Sequence, residues 1–324
     1  MPKVRAMWRM PLALAYWLGA ASSKELADGD DVIFLCHGTP RFVASGLEQQ
    51  LRYLRRVLNL VPLAEIATSV AERRPAGCRR RAAIIFDDGA RNNVSVAYPI
   101  LRSLGIPATF FVCPGLIEER KWIWTHEVRA RLRWAAPQLS SEIAGALHAP
   151  GEIDAFVQWM KKLPLPERAR VEALLRLATP SFLPTEKERE AFDLAGWHEL
   201  RALDPAIVTI GSHSMTHPIL STLSDAAIEV EMRESRRMLE VKLDRSAEFF
   251  SYPNADVDWR TLAAARRHYR GAVAHSHGVP LDPHLVPSVH LPANVWRLAL
   301  ELNRPALASA ASPRPLAGMR TPAV

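Results

Sequence analysis

Short apolar runs that each stop abruptly at a polar or glycine-bearing turn, with helical patterns between them, constrain this chain more than any other feature. The first, DVIFLC at 31–36, gives way to His37 and Gly38. The second, AAIIF at 82–86, stops at Asp87-Asp88-Gly89, and the third, ATFFVC at 108–113, closes on Pro114 and Gly115. Runs this short, bounded by turn formers, read as buried strands. Between the first two, Leu47, Leu51, Leu54 and Leu58 recur at helical spacing with Arg52, Arg55 and Arg56 among them, and 94–104 fits a second helix ending near Gly105. Later runs are IVTIG at 207–211, followed directly by His213 and His217, and FFSY at 249–252, closed by Pro253 and Asn254. Strands alternating with helices are joined by crossovers and lie parallel. The expectation is an α/β sheet or barrel with its chemistry at the carboxyl ends of the strands.

A chain of 324 residues can bury one large core, and 31–302 reads as a single catalytic domain. A stretch at about 118–201, rich in helix formers and punctuated by Pro164, Pro166, Pro180 and Pro184, reads as a helical insertion. Beyond His217, Ser224 fits an N-cap for a helix with Ile228, Met232, Leu239 and Leu243 on its apolar face and Glu229 and Arg233 as an i,i+4 pair. Residues 303–324, rich in Ala, Pro and Ser without periodicity, read as a disordered tail. At the other end, 1–30 holds Lys3, Arg5 and Arg9 ahead of an apolar run at 10–21, with Ala20, Ala21 and Ser22 near its end. This segment reads either as a secretory signal or as an amphipathic helix associated with a membrane surface through Trp8 and Trp17. It is too short to span a bilayer, which takes ~20 apolar residues, and localisation stays open between export and a cytoplasmic or membrane-peripheral site. The formal charge of +7 comes without a nucleic-acid-binding motif, so no nucleic-acid partner is expected. Cys36, Cys78 and Cys113 fit neither a disulfide framework nor a zinc knuckle and read as free thiols.

Adjacent carboxylates at the end of an apolar strand repel unless something positive sits beside them. A divalent metal would do so, with Asp88 as an oxygen ligand and Asp87 left free to accept a proton. Nitrogen ligands are available in His213-Ser214-Met215-Thr216-His217, where four-residue spacing would put two imidazoles on one side of a helical turn. Three protein ligands leave coordination positions open for water, whose pKa can fall to about 7 on such an ion.

Phe86-Asp87-Asp88-Gly89, then His213-Ser214-x-x-His217, then Phe250-Ser251-Tyr252-Pro253-Asn254 resemble, in order and approximate spacing, the polysaccharide deacetylases of the NodB-like, family-4 carbohydrate esterase type. The resemblance runs from about Val32 to His290. It implies a distorted (β/α) barrel and a hydrolase that removes N-acetyl groups from amino sugars of a polysaccharide or glycan precursor. It further implies a divalent cation, zinc foremost with cobalt or nickel compatible, held by Asp88, His213 and His217, with Asp87 as the base. The turn at Tyr252, Pro253 and Asn254 becomes a groove wall whose Asn254 backbone N–H would face the oxyanion. A late-strand histidine usually protonates the leaving amine, and His290 is the nearest candidate, with His275 and His277 as competitors. Three departures stand out: Ser251 where many relatives carry Arg, Ala255 where they carry Gly, and Ala90 where an aromatic residue often follows the Asp-Asp-Gly triplet. Trp122 and Trp124 would either stack on sugar rings or pack the insertion. Two rival readings remain: hydrolysis of a non-sugar amide on the same fold, and a carbohydrate-binding homologue without turnover.

Overall fold

The computed structural model describes residues 31–73, 80–275 and 282–302. Its strands are β1 (Val32–Cys36), β2 (Asn59–Leu60), β3 (Arg81–Phe86), β4 (Ala108–Val112), β5 (Val208–Ser212), β6 (Phe249–Ser251), β7 (Gly271–His275) and β8 (Val286–His290). Every pairing is parallel. β1 sits between β3 and β8, and the run from β3 through β8 closes on it as a seven-stranded barrel. This is the (β/α) barrel expected from the motifs. β2 only extends the foot of β3. The distortion is localised: β4 and β5 pair from Ala108↔Val208 to Val112↔Ser212, whereas β5 and β6 meet only at Ser212↔Phe250. β4 is buried along its whole length and β3 everywhere but its first residue, which is why their sequences run apolar without alternating. Arg81 at the start of β3 is paired with Asp31 just ahead of β1.

Helices wrap the barrel as the spacing predicts. α1 (Ala44–Val57) buries Leu47, Leu51 and Leu54 and exposes Arg52, Arg55 and Arg56. After α2 (Leu63–Ala71), a wide turn at Asn93–Ala97 opens into α3 (Tyr98–Leu104), which stops at Gly105 with φ +62°, a left-handed conformation that favours glycine. Between β4 and β5 lie α4 (Pro114–Glu119), α5 (Trp124–Trp134), α6 (Pro137–Ala146), α7 (Ile153–Met160), α8 (Leu165–Ala178), α9 (Glu186–Phe192) and α10 (Trp197–Arg201). α5, α7 and α8 build their own apolar cluster around Trp124, Val128, Phe156, Met160, Val171 and Leu175.

α11 (Asp225–Leu243) follows β5, and its N-cap is Ser224, whose Oγ accepts from Ala227 N at 3.3 Å. Ile228, Met232, Leu239 and Leu243 are buried as the periodicity requires. The Glu229–Arg233 pair does not form. Glu229 binds Arg267 and His268 of α12 (Trp259–His268), and Arg233 turns to Glu234. A neighbouring helix thus offers Glu229 two donors, which outbid an exposed intrahelical pair worth only about 0.2–0.5 kcal/mol. α13 (Val295–Leu302) completes the shell. Residues 1–30 and 303–324, with Cys78 and His277, lie outside the described residues. Among those described, Cys36 and Cys113 are free thiols, and no helix is long and apolar enough to cross a membrane.

Gly211 of β5 has no room for a side chain: a Cβ there would fall 2.4 Å from Phe111 Cε1 and 3.0 Å from the Phe249 carbonyl oxygen. Gly211→Ala should therefore destabilise the barrel by about 1–3 kcal/mol, read as a lower urea midpoint. An unchanged midpoint would mean that this wall of the barrel is not close-packed.

Candidate active site

The carboxyl ends of the strands converge on one cavity of about 300 Å³. Asp87 and Asp88 follow β3, His213 and His217 follow β5, Ser251 ends β6, and His290 ends β8. The backbone is forced into the left-handed region there, with φ of +74° at Asp88, +65° at Ser214, +56° at His217, +57° at Asn254 and +56° at Ala255. Non-glycine residues held so cost on the order of 1–3 kcal/mol each and concentrate at functional sites. Ala255, one of the three departures noted in the sequence, is among the strained positions.

The two imidazoles are not brought together by a helical turn. Residues 213–217 form an irregular loop, because side chains rather than an i→i+4 ladder satisfy its amides. Ser212 Oγ accepts from Ser214 N (3.2 Å), and Ser214 Oγ accepts from His217 N (3.0 Å). Glu231 of α11 gathers the rest, accepting from Met215 N (2.8 Å), Thr216 N (3.1 Å) and Thr216 Oγ1 (2.7 Å). Gly115 of α4 presses against the same loop, donating its N–H to the Met215 carbonyl at 3.1 Å. Trp124 Nε1 donates to the His217 carbonyl at 3.2 Å.

So fixed, His213 Nε2 and His217 Nε2 each lie 3.5 Å from Asp88 Oδ1, and one ligand atom from each of the three residues falls within 4.8 Å of the others. The separations are too long for good hydrogen bonds and leave space between donor atoms for a cation. His213 Nδ1 donates to the Ser251 carbonyl (2.7 Å), which fixes the tautomer and leaves Nε2 free to ligate. One carboxylate and two imidazoles suit zinc, and also cobalt or nickel. A third imidazole, His126 of α5, lies 3.7 Å from Asp88 Oδ2 and stacks on Phe192 at 4.5 Å between centroids.

Burial works to raise the Asp88 pKa, but the facing His126, His213 and His217 carry it well below the ordinary carboxylate value. Burial lowers His217 to about 4, only partly opposed by Asp88, so its ring is neutral at pH 7. Asp87 is the opposite case. Burial raises its pKa, against the pull of His213, His37 and the Ser251 hydroxyl, which donates to Oδ2 at 3.0 Å. Its other oxygen, Oδ1, is buried without a hydrogen-bond partner among the described residues, as is His217 Nδ1.

Of the residues singled out in the sequence, Asp87, Asp88, His213, His217, Asn254 and His290 line this one cavity. Tyr252 contributes to the wall, but its hydroxyl is directed away to the His284 carbonyl, and Pro253 is buried beneath the turn. Trp124 is a core residue, while Trp122 donates to Asp193 and packs edge-on against Phe192. His275 ends β7. The sequence reading assigned no site role to four titratable residues that line or support the cavity: His37, His126, Lys161 and Glu231. Glu231 left a trace, an acidic residue set between the inward positions Ile228 and Met232; His37 stood in view at the end of the first apolar run.

The family described as polysaccharide deacetylase matches residues 75–271. Among solved structures, the Streptococcus pyogenes deacetylase PplD in complex with acetate is 15% identical, with 85% of this chain and 98% of that chain covered and a TM-score of 0.56. IcaB from Ammonifex degensii is 17% identical, with 86% and 98% covered and a TM-score of 0.56. The BpsB deacetylase domain from Bordetella bronchiseptica is 15% identical, with 82% and 98% covered and a TM-score of 0.51. No curated protein sequence matches.

His213→Ala should lose the metal, and Glu231→Ala, which leaves the ligands in place but frees their loop, should weaken zinc binding about 10- to 100-fold. Competitive zinc titration measures both. Full metal content in the His213 variant would rule out the ligand assignment.

Proposed function

The chain belongs to the polysaccharide deacetylase family, and from that premise we propose that it removes N-acetyl groups from amino-sugar residues of a glycan, with a divalent cation, zinc foremost, on Asp88, His213 and His217 and with Asp87 as the base. The observation that carries this reading is the buried, unpartnered Asp87 Oδ1 beside three converging ligand atoms. An ion bound there would polarise the acetamide carbonyl and acidify a water. Asp87, kept basic by burial, would take a proton from the water that attacks the carbonyl carbon. Ser251 supports both groups: its hydroxyl donates to Asp87 Oδ2 and its carbonyl accepts from His213 Nδ1.

The tetrahedral oxyanion is met by the Asn254 N–H, which is not drawn into the turn's own hydrogen bonds, those running from Ala255 N to Tyr252 O and from Asp256 N to Pro253 O. Collapse of this intermediate breaks the C–N bond and sends a proton to the amine. His290 is the donor assigned from the sequence. A second candidate is His37, which lines the same cavity with its ring 5.3 Å from that of His290 and opposes the upward shift of Asp87.

Acetate release from N-acetylglucosamine oligomers should stop on chelation and return with added metal. Asp87→Asn should retain metal and lose about 10²–10⁴-fold in turnover, and of His290→Gln and His37→Gln the true donor is the one with the comparable loss. Release insensitive to a chelator would sink the metal mechanism. Cleavage of small amides in place of sugars, or sugar binding without acetate, would instead favour the rival readings.

A further inference from the structure

The insertion also puts a positive charge into the catalytic cavity. Lys161 directly follows α7, its position fixed by its own N–H donating to the Val157 carbonyl at 3.0 Å, and its side chain lines the same cavity as Asp87, His126 and Tyr252. Among the described residues no carboxylate or carbonyl partners the ammonium. The neighbouring acid Asp154 is already taken by Arg129 at 2.8 Å.

Such a group is unusual. Most lysines either extend into water or find a carboxylate, whereas this one is partly desolvated next to a second cation. Burial and then Arg129 both depress its pKa, the signature of a charge whose surroundings lack a counter-ion. The charge balance of the cavity points the same way. Its two carboxylates, Asp87 and Asp88, would be matched by a divalent ion on the triad, and Lys161 would then stand in surplus.

Resting on the reading that a sugar acetamide occupies this cavity, we propose that Lys161 is a specificity-determining residue that binds an anionic substituent, carboxylate or phosphate, on the glycan at or next to the sugar being deacetylated. Its ammonium is a compact point charge on a flexible stem, suited to either anion. No part of the reaction passes through it. Lys161 selects which acetamide is presented.

The test compares three tetrasaccharides that all carry N-acetylglucosamine: neutral N-acetylchitotetraose, its 1-phosphate, and a hyaluronan tetrasaccharide bearing carboxylates. Binding is measured by calorimetry on the zinc-loaded full chain carrying Asp87→Asn, so that no turnover intervenes. At least one anionic ligand should bind about tenfold or more tightly than the neutral one, with a preference that falls as salt rises. Whether phosphate or carboxylate is favoured identifies the substituent. Adding Lys161→Gln should collapse the anionic-to-neutral ratio towards one, and Lys161→Arg, which keeps the charge, should retain most of it. Equal binding of all three ligands, or a preference unchanged by Lys161→Gln, overturns this proposal and leaves deacetylation standing. Failure of all three to bind overturns the glycan reading with it.

Discussion

Two carboxylates side by side at the end of a buried strand are the constraint on which the rest of this structure depends. Neither Asp87 nor Asp88 can be ionised cheaply in that position, and the surrounding groups resolve the conflict by treating them differently. Asp88 faces three imidazoles and is held ionised, ready to ligate. Asp87 is left with one hydroxyl partner and one unpartnered oxygen, and burial makes it more basic. In the proposed reaction a single dipeptide would thereby supply both a ligand and a base. The histidines after β5 and the turn after β6 are arranged around that division.

Holding the arrangement requires backbone that the chain would not otherwise adopt. Left-handed residues recur at Asp88, Ser214, His217 and Asn254, and the loop that carries Ser214 and His217 is held in part by groups from elsewhere in the chain: Glu231 from the following helix, Gly115 from α4 and Trp124 from the insertion. The insertion is therefore part of the site's scaffold. It supports His217 from behind through Trp124, places His126 against Asp88, and contributes Lys161 to the cavity wall.

The barrel and the cluster of polar residues at its rim were legible because both are written locally. An uninterrupted apolar run reports a strand buried on two faces, as in AAIIF and ATFFVC, and the polar residues just after it report the catalytic rim. What was not legible depends on partners distant in the chain. Four-residue spacing suggested a helical turn for His213 and His217, but Glu231 captures the loop amides and replaces the ladder a helix would need. The Glu229–Arg233 pair failed for the same reason, since α12 brings better donors. His126 and Lys161 sit among ordinary helix formers in the insertion, and nothing in their own neighbourhood marks them as facing the cavity.

The near-gap between β5 and β6 takes on a different meaning once the site is built over it. These strands share one register pair, Ser212↔Phe250, and directly above it His213 Nδ1 bonds to the Ser251 carbonyl. His213 and His217 thus stand on one lip of the most sparsely paired seam in the barrel wall, and Ser251, which donates to Asp87, stands on the other. An ion held by His213, His217 and Asp88, as proposed, would tie β5 to β3 beside that seam, where the hydrogen-bond ladder is thinnest. Occupancy of that site would then be coupled to closure of the barrel, since binding that favours the closed wall stabilises a fold by mass action.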